Sequence, residues 1–158
     1  MAKAEKKSSR DASEGAVVLL IAEDKRSASI IEVNCETDFV ARSDTFKAFT
    51  QTVANTVLSQ KETDVTKLLS VESANGGTIE AARHEAVLQL GENIQIARAE
   101  YIQTPEGYIC GYAHNDGLCV AVAISVDNEE VGRNIAMHVA ASNRPAIKDT
   151  DIPQSLLE

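Results

Sequence analysis

V-N-C-E-T-D-F-V-A-R, residues 33–42, is where one periodicity hands over to another. Upstream, A-S-I-I-E-V-N-C (28–35) is rich in β-formers and reads as a strand. Downstream, Phe46, Phe49, Val53 and Val57 recur at spacings of three and four, which predicts a helix with one apolar face. Ser43 or Asp44 offers the oxygen that caps it. The residues between Cys35 and Ser43 must therefore turn a short corner. Toward the N-terminus, G-A-V-V-L-L-I-A (15–22) and the polar E-D-K-R-S (23–27) make a second β-rich run and a turn, so residues 15–35 read as a hairpin. The helix is expected to lie on that hairpin.

Beyond the helix, residues 61–73 and the break N-G-G read as a surface connection with one short helical turn around Leu68 and Leu69. Thr78 can cap a further helix whose inner face carries Ile79, Ala82, Ala86, Val87 and Leu90, and Gly91 closes it. In N-I-Q-I-A-R-A-E-Y-I (93–102), Ile94, Ile96 and, after a shift, Tyr101 and Ile102 are expected to face a core from a third strand. Residues 15–104 thus form a first subdomain of order β-β-α-α-β.

Pro105 and Gly107 punctuate the chain, and the opening pattern then returns. G-Y-I-C-G-Y-A-H-N-D parallels G-A-V-V-L-L-I-A-E-D, and I-A-M-H-V parallels V-A-N-T-V in the helix behind it. This second unit, 105–158, reads as a hairpin, a helix and a tail, without the second helix and third strand of the first. The expectation is an α+β protein of two related subdomains, each a small antiparallel sheet packed with helices, the second incomplete. Its open strand edge and apolar face imply either a fragment or cover from another chain. Residues 1–14 carry no large apolar side chain after Met1 and read as a basic linker arm.

The chain of 158 residues is 44% hydrophobic, enough for a packed core. Its 15 Lys and Arg against 24 Asp and Glu give a net charge of −9, which repels a phosphate backbone and argues against direct nucleic-acid binding. No apolar run approaches the roughly 20 residues that span a bilayer, and the basic N-terminus lacks the apolar stretch of a secretion signal. Cys35, Cys110 and Cys119 match no zinc or redox spacing. A soluble, reduced, cytoplasmic protein is the expectation.

Cys35 as a nucleophile would need a base, and His84, His114 and His138 are all distant in sequence. Glu36 and Asp38 supply two carboxylates with no third ligand beside them, too few for a metal. Nucleotide-binding and zinc-protease motifs are missing. For T-D-F-V two readings stay open. In one, Thr37 caps a turn, Asp38 sits at its positive end and Phe39 packs beneath; in the other, Phe39 projects as a recognition element. On residue chemistry alone His114 is a solvated turn residue.

I-I-E-V-N-C-E-T-D-F-V-A-R (30–42) strongly resembles the signature of the elongation factor Ts family, and L-G-E-N-I (90–94), A-M-H-V-A-A-S (136–142) and the arm K-A-E-K-K-S-S-R-D-A-S-E-G extend the likeness over nearly the whole chain. The resemblance implies a non-enzymatic guanine-nucleotide exchange factor, without cofactor or resident metal, whose partner is elongation factor Tu in its GDP-bound and nucleotide-free states. It implies that Thr37, Asp38, Phe39 and Val40 disturb the partner's magnesium site, with Phe39 wedged between helices of its GTPase domain. Leu90 and Gly91 match a helix end that also touches that domain, and His114 a histidine that approaches its phosphate-binding loop. His84 and His138 receive no role. Family members normally begin with a small three-helix domain and continue through a coiled-coil insertion, and the resemblance implies that these residues correspond to the part between them. The rival expectations are a small enzyme using Cys35 or Glu36 and Asp38, and an RNA-binding translation protein using the basic arm.

Overall fold

The computed structural model describes residues 10–114 and 118–141, without the side chain of His114. Strands β1 (Glu14–Ile21) and β2 (Ser27–Cys35) form the expected hairpin, in register from Glu14 opposite Cys35 to Ile21 opposite Ala28. Strand β3 (Gln95–Gln103) pairs antiparallel with the other edge of β2, so the sheet order is β1-β2-β3. The shift expected within the third strand is a bulge: Ile96 opposes Val33 and Arg98 opposes Glu32, leaving Ala97 unpaired. The bulge lets Ile96 and Ala99, three apart, share the core side. Tyr101 packs against that core, whereas Ile102 is half-buried outside the cluster, because adjacent strand residues point to opposite faces.

From Ser29 onward the burial of β2 alternates strictly, and Ala28 before it is buried as well. Ser29, Ile31, Val33 and Cys35 are buried on one face, where Ser29 Oγ donates to the carbonyl of Ala54 at 2.9 Å. That carbonyl belongs to helix α2 (Asp44–Gln60), which follows α1 (Asp38–Ala41), a single turn. Helix α2 starts at Ser43, whose Oγ accepts from Phe46 N–H at 3.2 Å, and buries Phe46, Phe49, Val53 and Val57 as the periodicity predicts. A second single turn, α3 (Val65–Leu68), drops Leu68 into the core. Helix α4 (Ile79–Leu90) is capped by Thr78 and ends where Gly91 takes φ +75°, a left-handed conformation cheap only for glycine. Its inner face is not wholly apolar. Arg83 is buried there, donating to the carbonyl of Ile94 at 3.0 Å and to both carboxylate oxygens of Glu80 at 2.8 and 2.6 Å.

Strands β4 (Tyr108–His114) and β5 (Leu118–Ile124) make a second, two-stranded antiparallel sheet, and α5 (Glu129–Ala141) covers it through Gly132, Ile135, Ala136 and Val139. The N-D-G turn (115–117), the tail (142–158) and most of the basic arm (1–9) lie outside the described residues. The second sheet stacks on the back of the first. Cys119 Sγ donates to the carbonyl of Val17 at 3.3 Å, and Gly111 lies so close to Leu19 and Ile21 that a Cβ would strike the Leu19 side chain. The β1–β2 turn ties the sheets at one end: Ile109 N–H bonds the Lys25 carbonyl at 2.7 Å, Lys25 Nζ meets Asp127 at 3.0 Å, and Arg26 stacks over Tyr108 at 5.2 Å. Helices with two small antiparallel sheets make this an α+β fold. No helix among the described residues is long and apolar enough to cross a membrane.

Candidate functional site

The corner between Cys35 and Ser43 is built from both ends. Thr37, extended at φ −127° and ψ 155°, caps α1 by accepting from Val40 N–H at 3.3 Å. Ser43 Oγ donates back to the Val40 carbonyl at 2.7 Å while capping α2. One hydroxyl thus starts the short turn and the other joins it to the long helix.

A four-residue helix that fully buries none of its own side chains has little intrinsic stability, because one turn fixes several dihedrals for few bonds. Its support comes from L-G-E-N-I. Glu92 Oε1 accepts from the backbone N–H of Glu36 at 3.1 Å and of Thr37 at 3.0 Å, and Oε2 accepts from the Thr37 hydroxyl at 2.7 Å. In exchange, Glu36 accepts from the backbone N–H of Asn93 at 2.9 Å, and Asn93 Nδ2 donates to the carbonyl of Arg10 at 2.6 Å. The two motifs, more than fifty residues apart, are therefore one hydrogen-bonded unit.

Within that unit the four T-D-F-V side chains divide sharply. Thr37 is committed to the clamp, and Val40 is half-buried against the main core. Asp38 is exposed, 3.8 Å from Arg42, an i,i+4 pair too solvated to hold much. Phe39 is 82% exposed. Of the two readings of this aromatic, packing beneath the corner is thus excluded. Isolated exposed apolar residues are ordinary, but a large aromatic on a clamped turn offers contact area at little ordering cost.

Leu90 is half-buried against the core and Gly91 forms the helix end, one residue before Glu92, so both lie beside the T-D-F-V turn through the clamp. Leu88, 52% exposed on the same helix, is a further apolar surface residue that the helical pattern did not single out. His114 closes β4 opposite Leu118, and its side chain is outside the described residues.

The rival chemistry finds poor ground. Cys35 is fully buried and donates to the Thr37 carbonyl at 3.2 Å; burial, and after it the neighbouring Glu92 carboxylate, push its thiol up to about 11. A thiol so held is a weak source of thiolate at neutral pH. Cys110, facing Gly132 of α5, is likewise buried with its pKa raised by desolvation, while Cys119 is only half-buried. Glu36 is spent on Asn93 and faces Arg10 at 3.8 Å, whereas Asp38 faces Arg42. No group of three or more His, Cys, Asp or Glu among the described residues is arranged to hold a metal. His84 pairs with Glu80 at 2.9 Å, a local helix contact.

Fold and corner together define an α+β protein whose most distinctive exposed feature is an aromatic presented on a braced turn. Residues 36–158 match the family model described as elongation factor TS. The elongation factor Ts of Hydrogenovibrio crunogenus is 42% identical over the whole chain, which covers 53% of that protein. That of Arthrospira platensis is 40% identical over 99% of the chain and 63% of its own length, and that of Alcanivorax borkumensis 42% identical over 99% and 55%. The chain belongs to the elongation factor Ts family. It spans about half the length of the curated relatives it matches.

Proposed function

We propose that this chain is the core of a guanine-nucleotide exchange factor that acts in the cytoplasm on elongation factor Tu and hastens replacement of GDP by GTP. Phe39, exposed on a turn clamped to its own fold, carries this reading. In it, Phe39 enters between helices of the partner's GTPase domain, with Thr37, Asp38 and Val40 shaping the turn that delivers it. GTPases hold their nucleotide largely through phosphate contacts and a magnesium ion positioned by a few side chains. Displacing the helices that carry those ligands weakens the site, and a desolvated aromatic anchor offsets the cost of displacing them. Exchange then needs no bond chemistry from this chain.

Leu90 and Gly91 form a second contact beside the wedge, and His114, at the tip of the second sheet, a third toward the phosphate-binding loop. Residues 15–104 and 105–158 act as two subdomains, with 1–14 the arm leading into the first. The stacking of β4–β5 on β1 and the ties at Lys25 and Arg26 support a fixed spacing between the contacts. The net charge of −9 supports a protein partner rather than nucleic acid.

Release of a fluorescent GDP from elongation factor Tu, chased with excess unlabelled nucleotide, tests this. Acceleration that rises and saturates with added chain is the expected result. Binding without acceleration would remove the exchange role, and absence of binding by a folded chain would remove the partner.

A further inference from the structure

Glu92 lies outside the residues that the family resemblance assigns to partner contact, yet it holds the turn that presents Phe39. Its two oxygens accept three hydrogen bonds: the N–H groups of Glu36 and Thr37 at one, the Thr37 hydroxyl at the other. The last bond also fixes the direction of the hydroxyl proton. With that proton directed at Glu92, Thr37 Oγ1 keeps a lone pair for Val40 N–H, the capping bond of α1. Glu92 is itself constrained, following the left-handed Gly91 and preceding Asn93, whose N–H is held by Glu36. If Glu92 swings away it releases the Glu36 and Thr37 amides, and if Glu36 swings away it releases the Asn93 amide. Phe39, 82% exposed, finds little packing in its own fold, so its direction is set by the backbone of α1.

We propose that Glu92 is a positioning residue, which by holding the Glu36 and Thr37 amides and the Thr37 hydroxyl fixes the pose in which Phe39 meets the GTPase partner. This rests on the reading of Phe39 as the wedge. Without Glu92 the turn samples several poses, and only the competent fraction binds, which weakens apparent affinity by that fraction. The half-saturating concentration rises while the maximal rate is largely kept; loss of the wedge itself lowers the maximal rate.

The test uses the intact chain in five forms: parent, Glu92→Ala, Glu92→Gln, Phe39→Ala, and Phe39→Ala combined with Glu92→Ala. Amide hydrogen exchange is read first, GDP release from elongation factor Tu second. In Glu92→Ala the amides of Glu36, Thr37 and Val40 exchange faster while Ile31 and Val33 in the sheet are unchanged. The half-saturating concentration for GDP release rises by about tenfold, the size expected for losing hydrogen bonds to a charged group. Glu92→Gln keeps an oxygen for both amides but turns an NH2 donor on the Thr37 hydroxyl and removes the charge, so it falls between parent and Glu92→Ala. In the Phe39→Ala background, Glu92→Ala adds nothing. Unchanged exchange at the corner, acceleration spread equally through β2, or a Glu92→Ala effect undiminished without Phe39 would each overturn the proposal. Were Phe39→Ala itself silent in GDP release while the corner amides still loosened in Glu92→Ala, the wedge reading would be the one to fall.

Discussion

Phe39 and Phe46 are the same residue type seven positions apart, on consecutive helices joined by Ser43, and their fates are opposite: 82% exposed against fully buried. Phe46 lies on the first turn of a long helix whose apolar face repeats every three or four residues and rests on β2. Phe39 lies on a single turn too short to have a repeating face, oriented by hydrogen bonds from 55 residues away. Burial in the first case follows from a local period; exposure in the second follows from a tertiary clamp.

The contrast can be broken most forcefully at the core. Phe46→Ala should cost about 3–5 kcal/mol, the range for emptying a buried aromatic site, read as a lowered urea midpoint at unchanged slope. A loss below about 1 kcal/mol would mean the helix is not anchored as described.

Cys35, where the corner joins that core, gives a pH-dependent test. Its folded pKa stands near 11 against an ordinary 9.0, so the folded state keeps a proton that the unfolded state gives up over that interval. The contribution is full below about pH 9 and is lost as pH rises toward 11. Cys110 acts in the same direction, so the comparison is with Cys35→Ala, whose stability should fall less steeply over this range. Alkylation of Cys35 at neutral pH should be slow in buffer and fast in urea.

Gly91→Ala should be milder, about 1 kcal/mol, because a Cβ disfavours the left-handed cap at φ +75° without opening a cavity. It should also loosen Glu92 and with it the corner, so the Thr37 amide should exchange faster than the global loss explains.

Much of the scaffold was legible in the sequence, for local reasons. The β-rich runs of the hairpin, Ser43 and Thr78 as caps, Gly91 as a helix end and the apolar face of α2 all depend on neighbours within a few positions. The buried Arg83 was not legible, because its carbonyl partner on Ile94 becomes visible only once the chain has turned back. Nor could the pattern separate Ile102 from Tyr101, since the bulge at Ala97 resets which residues face inward. At the corner, residue chemistry left both a packed and a projecting Phe39 open, and the resemblance pointed outward. The reciprocal bonds of Glu36 and Glu92 left no periodic trace, because two acidic residues in separate motifs look like solvated surface until their backbone partners are placed.

The smallest effect on stability is expected at Phe39, and it carries the central claim. Phe39→Ala should shift the unfolding free energy by no more than about 0.5 kcal/mol, as for a surface site. In the same preparation, its maximal acceleration of GDP release from elongation factor Tu should fall at least about tenfold, as for the loss of an aromatic anchor. Full exchange by a stably folded Phe39→Ala chain would contradict the wedge. Parallel loss of fold and exchange would make Phe39 another Phe46.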